Sequence, residues 1–343
     1  MQYTKSKNLR PVAIWLWTGA ALVFLMVLVG GITRLTGSGL SMSDWNLIMG
    51  TIPPLNAEQW QETFRHYQQF PEYQQLNHGM SLFEFKQIFF WEYLHRILGR
   101  MMGLIFLIPF LYFWIRGYFD SKQLKRMFIL FGLGALQGAM GWFMVKSGLV
   151  DVPYVSHYRL AAHFLLAVIL IGCCVWFAID LKPRPAQGTI QNSGLRKVAI
   201  AICGLFFLQL IWGAFTAGLN AGMIYNTFPL MNGNWMPFNT WTMQPVIINF
   251  FENPGTVQWT HRIIGTLLGL GVIYLWWRTR SETKETGLRL KANLLLAVIV
   301  IQYLLGMFTV LYRVPVSLGV AHQAVAVLFW IAWLLFYHKL KRA

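Results

Sequence analysis

Two short stretches place a histidine and an arginine inside strongly apolar sequence. The first reads EYLHR (92–96), and the second reads QWTHR (258–262), 166 residues later. Ionisable side chains are costly inside a membrane, so they usually face a protein interior and have a function there. The two stretches share the His-Arg pair but begin with different residues, Glu92 in one and Gln258 in the other. The pattern indicates a duplicated site in which the acid distinguishes the copies.

Two further histidines lie in a second pair of matching segments. LAAHFLLAV (160–168) carries His163, and GVAHQAVAV (319–327) carries His322. These two histidines and the two of the His-Arg pairs each lie four to seven residues inside a predicted membrane span. All four are therefore expected at a similar depth in the membrane. His157 precedes His163 by six residues, has no counterpart in the other segment and is a secondary candidate.

Two imidazoles from two different helices, present twice, restrict the ligand. Zinc sites usually also include cysteine or carboxylate ligands, and copper sites are richer in cysteine or methionine at close spacing. Haem iron accepts an axial imidazole on each face, and the apolar centre of a four-helix bundle provides the space. We therefore predict that four histidines are ligands of haem iron: His95, His163, His261 and His322.

The residues around the first histidine share its helical face. They are spaced as i, i+3, i+4, i+7 and i+11: Glu92, His95, Arg96, Gly99 and Gly103. Arg96 and Arg262 are suited to holding haem propionates, although arginines near a membrane surface also extend to lipid headgroups. Glu92 is suited to acid–base chemistry, and its structural alternative is an ion pair with Arg96 at i+4.

Long apolar segments must position these residues. Of the 343 residues, 56% are hydrophobic and 12% are charged, whereas soluble domains have roughly 25% charged residues. A bilayer-spanning helix needs about 17 to 25 apolar residues. The sequence predicts an all-α integral membrane protein with eight transmembrane helices, arranged as two repeat-related four-helix bundles. The predicted spans are 12–33, 88–114, 126–146, 157–180, 196–219, 257–277, 291–312 and 317–338.

The net charge of +16 reflects membrane topology. Lysine and arginine gather at both termini and in alternate connections, around 116–126, 182–197 and 278–291. Eight spans place all of these clusters on one side, as the positive-inside rule requires. Both termini are therefore predicted to be cytoplasmic, and no nucleic-acid partner is indicated. The short N-terminus without an Arg/Ser-rich presequence favours a bacterial inner membrane over a mitochondrial one.

The first four spans match the last four. LQGAMGWFMV (136–145) matches IQYLLGMFTV (301–310), and GGITRLTGSGLS (30–41) weakly matches GAFTAGLNAGMI (213–224). Repeats with an even number of spans share one orientation. A long aromatic-rich outer loop, about 40–87, is present in the first repeat and is expected to form an ordered cover. The predicted domains are an N-terminal half (1–181), a cytoplasmic linker (182–195) and a C-terminal half (196–343).

This combination resembles the haem A synthase family. The resemblance rests on EYLHR with THR and on the two Ala-His sites, Ala162-His163 and Ala321-His322, within a duplicated four-helix architecture. It covers essentially the whole chain. The cysteine pair that some bacterial members carry in the first outer loop is missing, so the chain resembles the proteobacterial and mitochondrial type.

The resemblance implies a function and a division of labour. The family oxidises a methyl group of haem O to a formyl group, giving haem A for cytochrome c oxidase. His95 and His163 would flank the substrate haem iron, whereas His261 and His322 would ligate a resident haem b. Glu92 would be catalytic. Implied partners are haem O, the haem O synthase that delivers it and an unidentified electron acceptor; a homo-oligomer is compatible with the sequence.

Two other classes of protein compete with this interpretation. A di-haem b-type electron-transfer cytochrome would explain the four histidines equally well. It would not explain why Glu92 is replaced by Gln258, or why only the N-terminal half has an insertion of about 17 residues in its outer loop. A transporter with parallel repeats should have broken helices and a polar site at the membrane midplane, whereas the polar residues here gather near one face.

Overall fold

A computed structural model describes residues 7–42, 51–147, 153–181, 193–238 and 240–342. The described residues are helical apart from their connections and contain no β-strand beyond one isolated bridge. Eight helices are long: α1 (Arg10–Leu35), α4 (Leu82–Ile115), α5 (Ser121–Ser147), α6 (His157–Asp180), α7 (Ser193–Gly218), α9 (Pro254–Glu282), α10 (Thr286–Leu311) and α11 (Val316–Arg342). Three are short: α2 (Ala57–Tyr67), α3 (Pro71–Gln75) and α8 (Asn249–Glu252).

Local signals in the sequence fix where the histidine-bearing helices begin. Ser81 caps α4 in a capping box, in which its hydroxyl accepts from the Glu84 N–H and the Glu84 carboxylate accepts from the Ser81 N–H. Asn253 caps α9 by accepting from the N–H groups of the first turn, and a proline occupies the first helical position. The two EYLHR-type motifs therefore lie on helix, a few turns or less from a capped end.

Seven of the long helices are long and apolar enough to cross a membrane, and the chain is a multi-pass membrane protein. The remaining predicted span, 257–277, lies in α9, which has 29 residues but is not apolar enough to be counted with the other seven. Its polar residues explain the difference, because Gln258, His261 and Arg262 fall within the predicted span. An eighth crossing is therefore still a prediction.

The long helices pack in two groups that meet through four of them. α1 contacts α4 and α6, and α6 also contacts α5. In the same way, α7 contacts α9 and α11, and α10 packs against both α9 and α11. The two groups meet where α1 packs on α11, α6 on α7, and α6 on α11. A continuous hydrophobic core that includes Val168, Phe329 and Trp330 fills this junction.

The connection between the groups lies mostly outside the described residues. The predicted linker comprises residues 182–195, of which 182–192 are not described, and α7 begins at Ser193. An ion-pair cluster joins the C-terminal end of α6 to α5 and α11. Asp180, at the end of α6, accepts from Arg126 of α5 at 2.6 Å and from Arg342 of α11 at 3.0 Å.

The described part of the first outer loop is folded onto α4. Residues 43–50 of the predicted loop lie outside the described residues. The described part contains α2 and α3, whose aromatic side chains pack against the first turns of α4, and the last residues of the predicted loop, 82–87, belong to α4 itself. This cluster has five buried members: Met42, Phe64, Tyr67, Phe85 and Phe89. Within it Glu72 is also buried and accepts a hydrogen bond from the Tyr67 hydroxyl at 3.0 Å.

Candidate functional site

The seven residues predicted from the sequence to form the site all line one large cavity. It has a volume of about 1210 Å³ and extends through both groups of helices, which exceeds the roughly 300–1,000 Å³ of typical small-molecule pockets. The predicted residues that line it are Glu92, His95, Arg96, His163, His261, Arg262 and His322. α4, α6, α9 and α11 each contribute one histidine.

Each of the four histidine rings packs against a glycine of a neighbouring helix. If a Cβ were added to that glycine, it would lie within 2.8–3.1 Å of the ring Cε1 atom. The side chain of any other residue would therefore push the ring aside. The four pairs are Gly30 with His95, Gly141 with His163, Gly213 with His261, and Gly306 with His322. The glycines thus fix where the imidazoles lie.

Three of the four rings also meet a glutamine four residues before the packing glycine. Gln137 lies 3.4 Å from His163, Gln209 lies 3.3 Å from His261, and Gln302 lies 3.4 Å from His322, measured from the amide nitrogen to Nε2. At the fourth ring, that of His95, the corresponding residue is Met26. Met26 therefore has a thioether, a weak acceptor, at the position where the other three helices have an amide.

The C-terminal histidine pair has dimensions that fit an iron between the rings. The centroids of His261 and His322 are 6.5 Å apart. Two axial imidazoles, each bound at about 2 Å with the nitrogen about 1 Å from its ring centre, have centroids about 6 Å apart. Among the described residues, the Nδ1 atoms of all four rings have no hydrogen-bond partner. An apolar cavity with paired imidazoles therefore suits haem.

Glu92 is buried, lines the cavity and accepts hydrogen bonds from three donors. One carboxylate oxygen accepts from the Ser41 hydroxyl at 2.7 Å and from the Met42 N–H at 2.8 Å. The other accepts from Arg96 at 2.5 Å, so the ion pair expected from the i, i+4 spacing is present. Arg96 also donates to the Met42 carbonyl at 2.7 Å. The carboxylate therefore ties the segment after α1 to α4.

In the C-terminal half, the corresponding arginine also bonds to a loop carbonyl, but a glutamine takes the place of the glutamate. Arg262 donates to the Tyr225 carbonyl at 2.9 Å, as Arg96 does to Met42, and to the Thr227 carbonyl at 2.9 Å. Gln258 is 1% exposed and donates to the same Tyr225 carbonyl at 3.1 Å. Here an amide donor faces a carbonyl, whereas Glu92 faces N–H and O–H donors.

His157, the secondary candidate, is not part of the cavity. It lies at the start of α6, where its ring is 3.8 Å from the Glu252 carboxylate and packs against Phe215. A Cβ at Gly218 would lie 2.5 Å from the His157 Cβ, so the end of α7 packs directly on this residue. The contacts of His157 join the two groups of helices and do not point towards a ligand.

Sequence reasoning did not identify several residues that shape the cavity. Arg34 lines it and donates to the Ala217 carbonyl at the end of α7 at 2.8 Å, joining the two halves. Gln209 and the glycines that contact the rings were also missed. A signal for them exists, because the spacing QxxxG recurs in α5, α7 and α10 and reads MxxxG in α1: MVLVG (26–30), QGAMG (137–141), QLIWG (209–213) and QYLLG (302–306).

Comparison with known proteins gives matches over almost the whole chain. The family model COX15-CtaA, described as cytochrome oxidase assembly protein, matches residues 13–334. A relative from Nitrosospira multiformis named Heme A synthase is 47% identical over 336 residues, covering 97% of this chain and 94% of the relative. Relatives of the same name from Parvibaculum lavamentivorans and Flavobacterium psychrophilum are 48% and 43% identical, covering 92% and 93% of this chain and 90% and 95% of their own.

Proposed function

We propose that this chain, which belongs to the COX15-CtaA family of cytochrome oxidase assembly proteins, oxidises a methyl group of haem O to a formyl group in its N-terminal half. This is the reaction of a haem A synthase, and the chain is an enzyme of that kind. The C-terminal half is proposed to hold a resident haem b. The residues assigned to each half are argued below from their contacts.

The single observation that carries this division is the exchange of Glu92 for Gln258 between otherwise corresponding sites. Both sites share histidines packed on glycines and an arginine bonded to a loop carbonyl. A haem that only relays electrons needs no acid or base beside it. A haem whose methyl group is oxidised does need one, since protons leave the reacting carbon. The half with the carboxylate is therefore the substrate half.

The resident haem b is assigned to His261 and His322. The spacing of their rings suits a shared iron, and Gln209 and Gln302 accompany both rings. When bound, haem b supplies one-electron redox chemistry. The protein contributes orientation, because Gly213 and Gly306 press on the two ring edges. The apolar cavity wall excludes water.

The substrate haem O is assigned to His95 and His163. Conversion of a methyl carbon to a formyl carbon removes four electrons from that carbon, so protons must be accepted nearby. Glu92 is the acid–base group that lines this part of the cavity. A carboxylate has about four lone-pair positions, and its three donors leave one free to bind a proton or orient a water molecule. The contacts that fix Glu92 therefore also position it for catalysis.

Arg96 and Arg262 are proposed to contact haem propionates. Both line the cavity beside a proposed ligand, and a guanidinium has five N–H donors. The loop carbonyls use some of these donors on each residue. Bonds to the protein hold each guanidinium in place, which favours binding of a carboxylate without further loss of side-chain freedom.

The placement of the chain in the membrane is also proposed. We infer eight crossings, with α9 as the eighth, arranged as two four-helix bundles of the same orientation. Both termini would lie in the cytoplasm, and the membrane would be the bacterial inner membrane. The position of the basic clusters, at both termini and in alternate connections, supports this orientation. The partners would be the haem O synthase and an electron acceptor, with a homo-oligomer compatible with the exposed apolar helices.

Pigment analysis of the purified protein tests the proposal. The protein should contain one tightly held haem b and, after incubation with haem O and an added electron acceptor in lipid vesicles, should release haem A. Two equivalent, non-exchanging haem b groups would instead identify a di-haem electron-transfer cytochrome. The family match does not support that alternative.

A further inference from the structure

The two halves differ in how tightly two neighbouring helices pack at the border of the proposed sites. α9 and α10 pack against each other extensively, whereas the corresponding α4 and α5 touch at only a few points. α4 also contains Pro109, and a proline inside a helix removes a backbone hydrogen bond and tends to bend it. The seam between α4 and α5 is therefore open where its counterpart is closed.

Side chains close the seam between α9 and α10. The Tyr303 hydroxyl lies 3.2 Å from the Thr266 hydroxyl and so bridges the two helices. The Tyr303 ring also meets Phe228, with centroids 6.1 Å apart. Ile299, one turn earlier on α10, is buried and belongs to the hydrophobic core.

At the α4–α5 seam, glycines replace the tyrosine and the isoleucine of α10. The offset that pairs Gln137 with Gln302 places Gly138 opposite Tyr303 and Gly134 opposite Ile299. Both glycines line the cavity and are exposed, and a Cβ added to either would meet no atom within 4 Å. Thr266 corresponds to Arg100, which lines the cavity as well. The cavity is thus continuous with the lipid-facing surface at this seam.

The opening leads directly to a proposed ligand of the substrate haem. Gly141 lies one helical turn beyond Gly138 on α5 and packs against the His163 ring. A flat apolar molecule that enters beside Gly138 therefore reaches the His163 ring without crossing another layer of side chains. The neighbouring surface of α4 is apolar and exposed at Leu104 and Ile108, so it faces hydrocarbon when the helix spans a membrane.

We infer that the substrate haem passes sideways from the bilayer between α4 and α5 and rests its apolar edge in the space beside Gly134 and Gly138. This inference depends on the proposed function, because it takes the N-terminal half as the substrate site. A haem with apolar substituents partitions into lipid, so a lateral entrance avoids passage through water. The closed α9–α10 seam, in contrast, retains the haem that stays.

The test measures haem uptake and does not depend on turnover. Purified protein that contains its resident haem is placed in phosphatidylcholine vesicles, and haem O is added in a second population of phosphatidylcholine vesicles. The Soret absorbance change reports the rate and the final extent of uptake. Gly138→Tyr, which copies the residue of the closed seam, should lower the rate or extent at least about tenfold, because a bulky group fills the opening.

Matched variants separate the possible failures. Gly132→Tyr adds the same side chain on α5 at a glycine that is exposed but does not line the cavity, and it should take up haem O like the wild type. Gly138→Leu provides a smaller obstruction if the tyrosine prevents folding, and an unchanged haem b spectrum verifies the fold of each variant.

The outcomes distinguish this inference from the proposed function. If Gly138→Tyr and Gly138→Leu take up haem O like the wild type, the lateral entrance is refuted, whereas the assignment of the substrate site is unaffected. His95→Ala should abolish uptake in every background. Normal uptake by His95→Ala would instead refute the assignment of the N-terminal half as the substrate site, and with it the lateral entrance, which depends on that assignment.

Discussion

The N-terminal and C-terminal sites share the contacts that hold a ring and differ in the contacts that surround it. In both, imidazoles lie against glycines, and an arginine bonds to a loop carbonyl. The differences are Glu92 against Gln258 and the open seam at Gly138 against the closed seam at Tyr303. Under the proposed assignment, the shared contacts serve haem ligation, and the contacts that differ serve the chemistry and the exchange of the substrate haem.

The exchange of acid for amide follows the polarity of the loop that each one holds. Glu92 accepts from the Met42 N–H, so an amide oxygen could replace only part of its bonding. Gln258 donates to the Tyr225 carbonyl, which a carboxylate would repel. Each residue therefore stabilises its own loop, and the charge of Glu92 is the feature that the C-terminal site lacks.

The largest effect on this comparison is expected from Glu92→Gln. Loss of a general acid–base group typically lowers a rate by about 10²- to 10⁴-fold, so haem A formation from haem O should fall by at least about 100-fold while haem b stays bound. The measurement is the haem A yield in vesicles supplied with an electron acceptor, together with the haem b content.

Ser41→Ala is the matched control for a purely structural role of Glu92. It removes one of the donors to the carboxylate but keeps the charge, and its effect on haem A formation should be only a few-fold. A loss as large as that of Glu92→Gln would show that Glu92 acts mainly by holding the loop. Unchanged haem A output in Glu92→Gln would contradict a catalytic role.

An intermediate effect is expected from glycine substitutions at the ring contacts. In Gly306→Ala the new methyl group would lie 2.8 Å from the His322 ring, so haem b should bind roughly tenfold more weakly, as expected for about 1.4 kcal/mol of overpacking. Gly141→Ala, at 3.0 Å from the His163 ring, should impair haem O uptake and spare haem b. Titration of each variant with haem b and haem O measures both effects.

Equal loss of haem b in Gly141→Ala and Gly306→Ala would break the comparison, because it would show that the two sites do not have separate occupants. Gly132→Ala is a suitable control, since Gly132 has no neighbour within 4 Å of an added Cβ and lies outside the cavity lining.

The smallest effect concerns the outer loop that the N-terminal half carries. Burial raises the pKa of Glu72 from 4.5 to about 8. The folded loop therefore holds a proton that the unfolded chain releases, so its stability falls as the pH rises from about 4.5 to 8 and levels off above. Hydrogen exchange of residues 57–75 should become faster between pH 6 and pH 8 beyond the intrinsic change, and Glu72→Gln should remove this extra dependence.

The sequence predicted the elements of the fold well because the apolar segments are long. Each predicted span falls in one long helix, to within a residue at its end, and Ser81 and Asn253 mark two of the starts. α9 is the exception in hydropathy, because the residues that identify the site also make its helix more polar. Repetition, which the sequence shows directly, located the four histidines.

Contacts between helices could not be predicted from the sequence in the same way. The pairing of each histidine with a glycine depends on which helices are neighbours and at what height, and no periodicity within one helix contains that information. The role of Arg34 was missed for the same reason, since its acceptors lie 183 residues away on α7. The difference between the two seams likewise needs both helices of each pair.

The most direct test of the account compares the haem content of single histidine variants. His261→Ala and His322→Ala should each lose haem b, whereas His95→Ala and His163→Ala should keep a full complement of haem b and lose haem O uptake. Extraction and chromatographic identification of the haems in the four purified proteins gives the answer. Loss of haem b from all four variants alike, or its retention in His261→Ala and His322→Ala, would contradict the division between a substrate half and a resident-haem half.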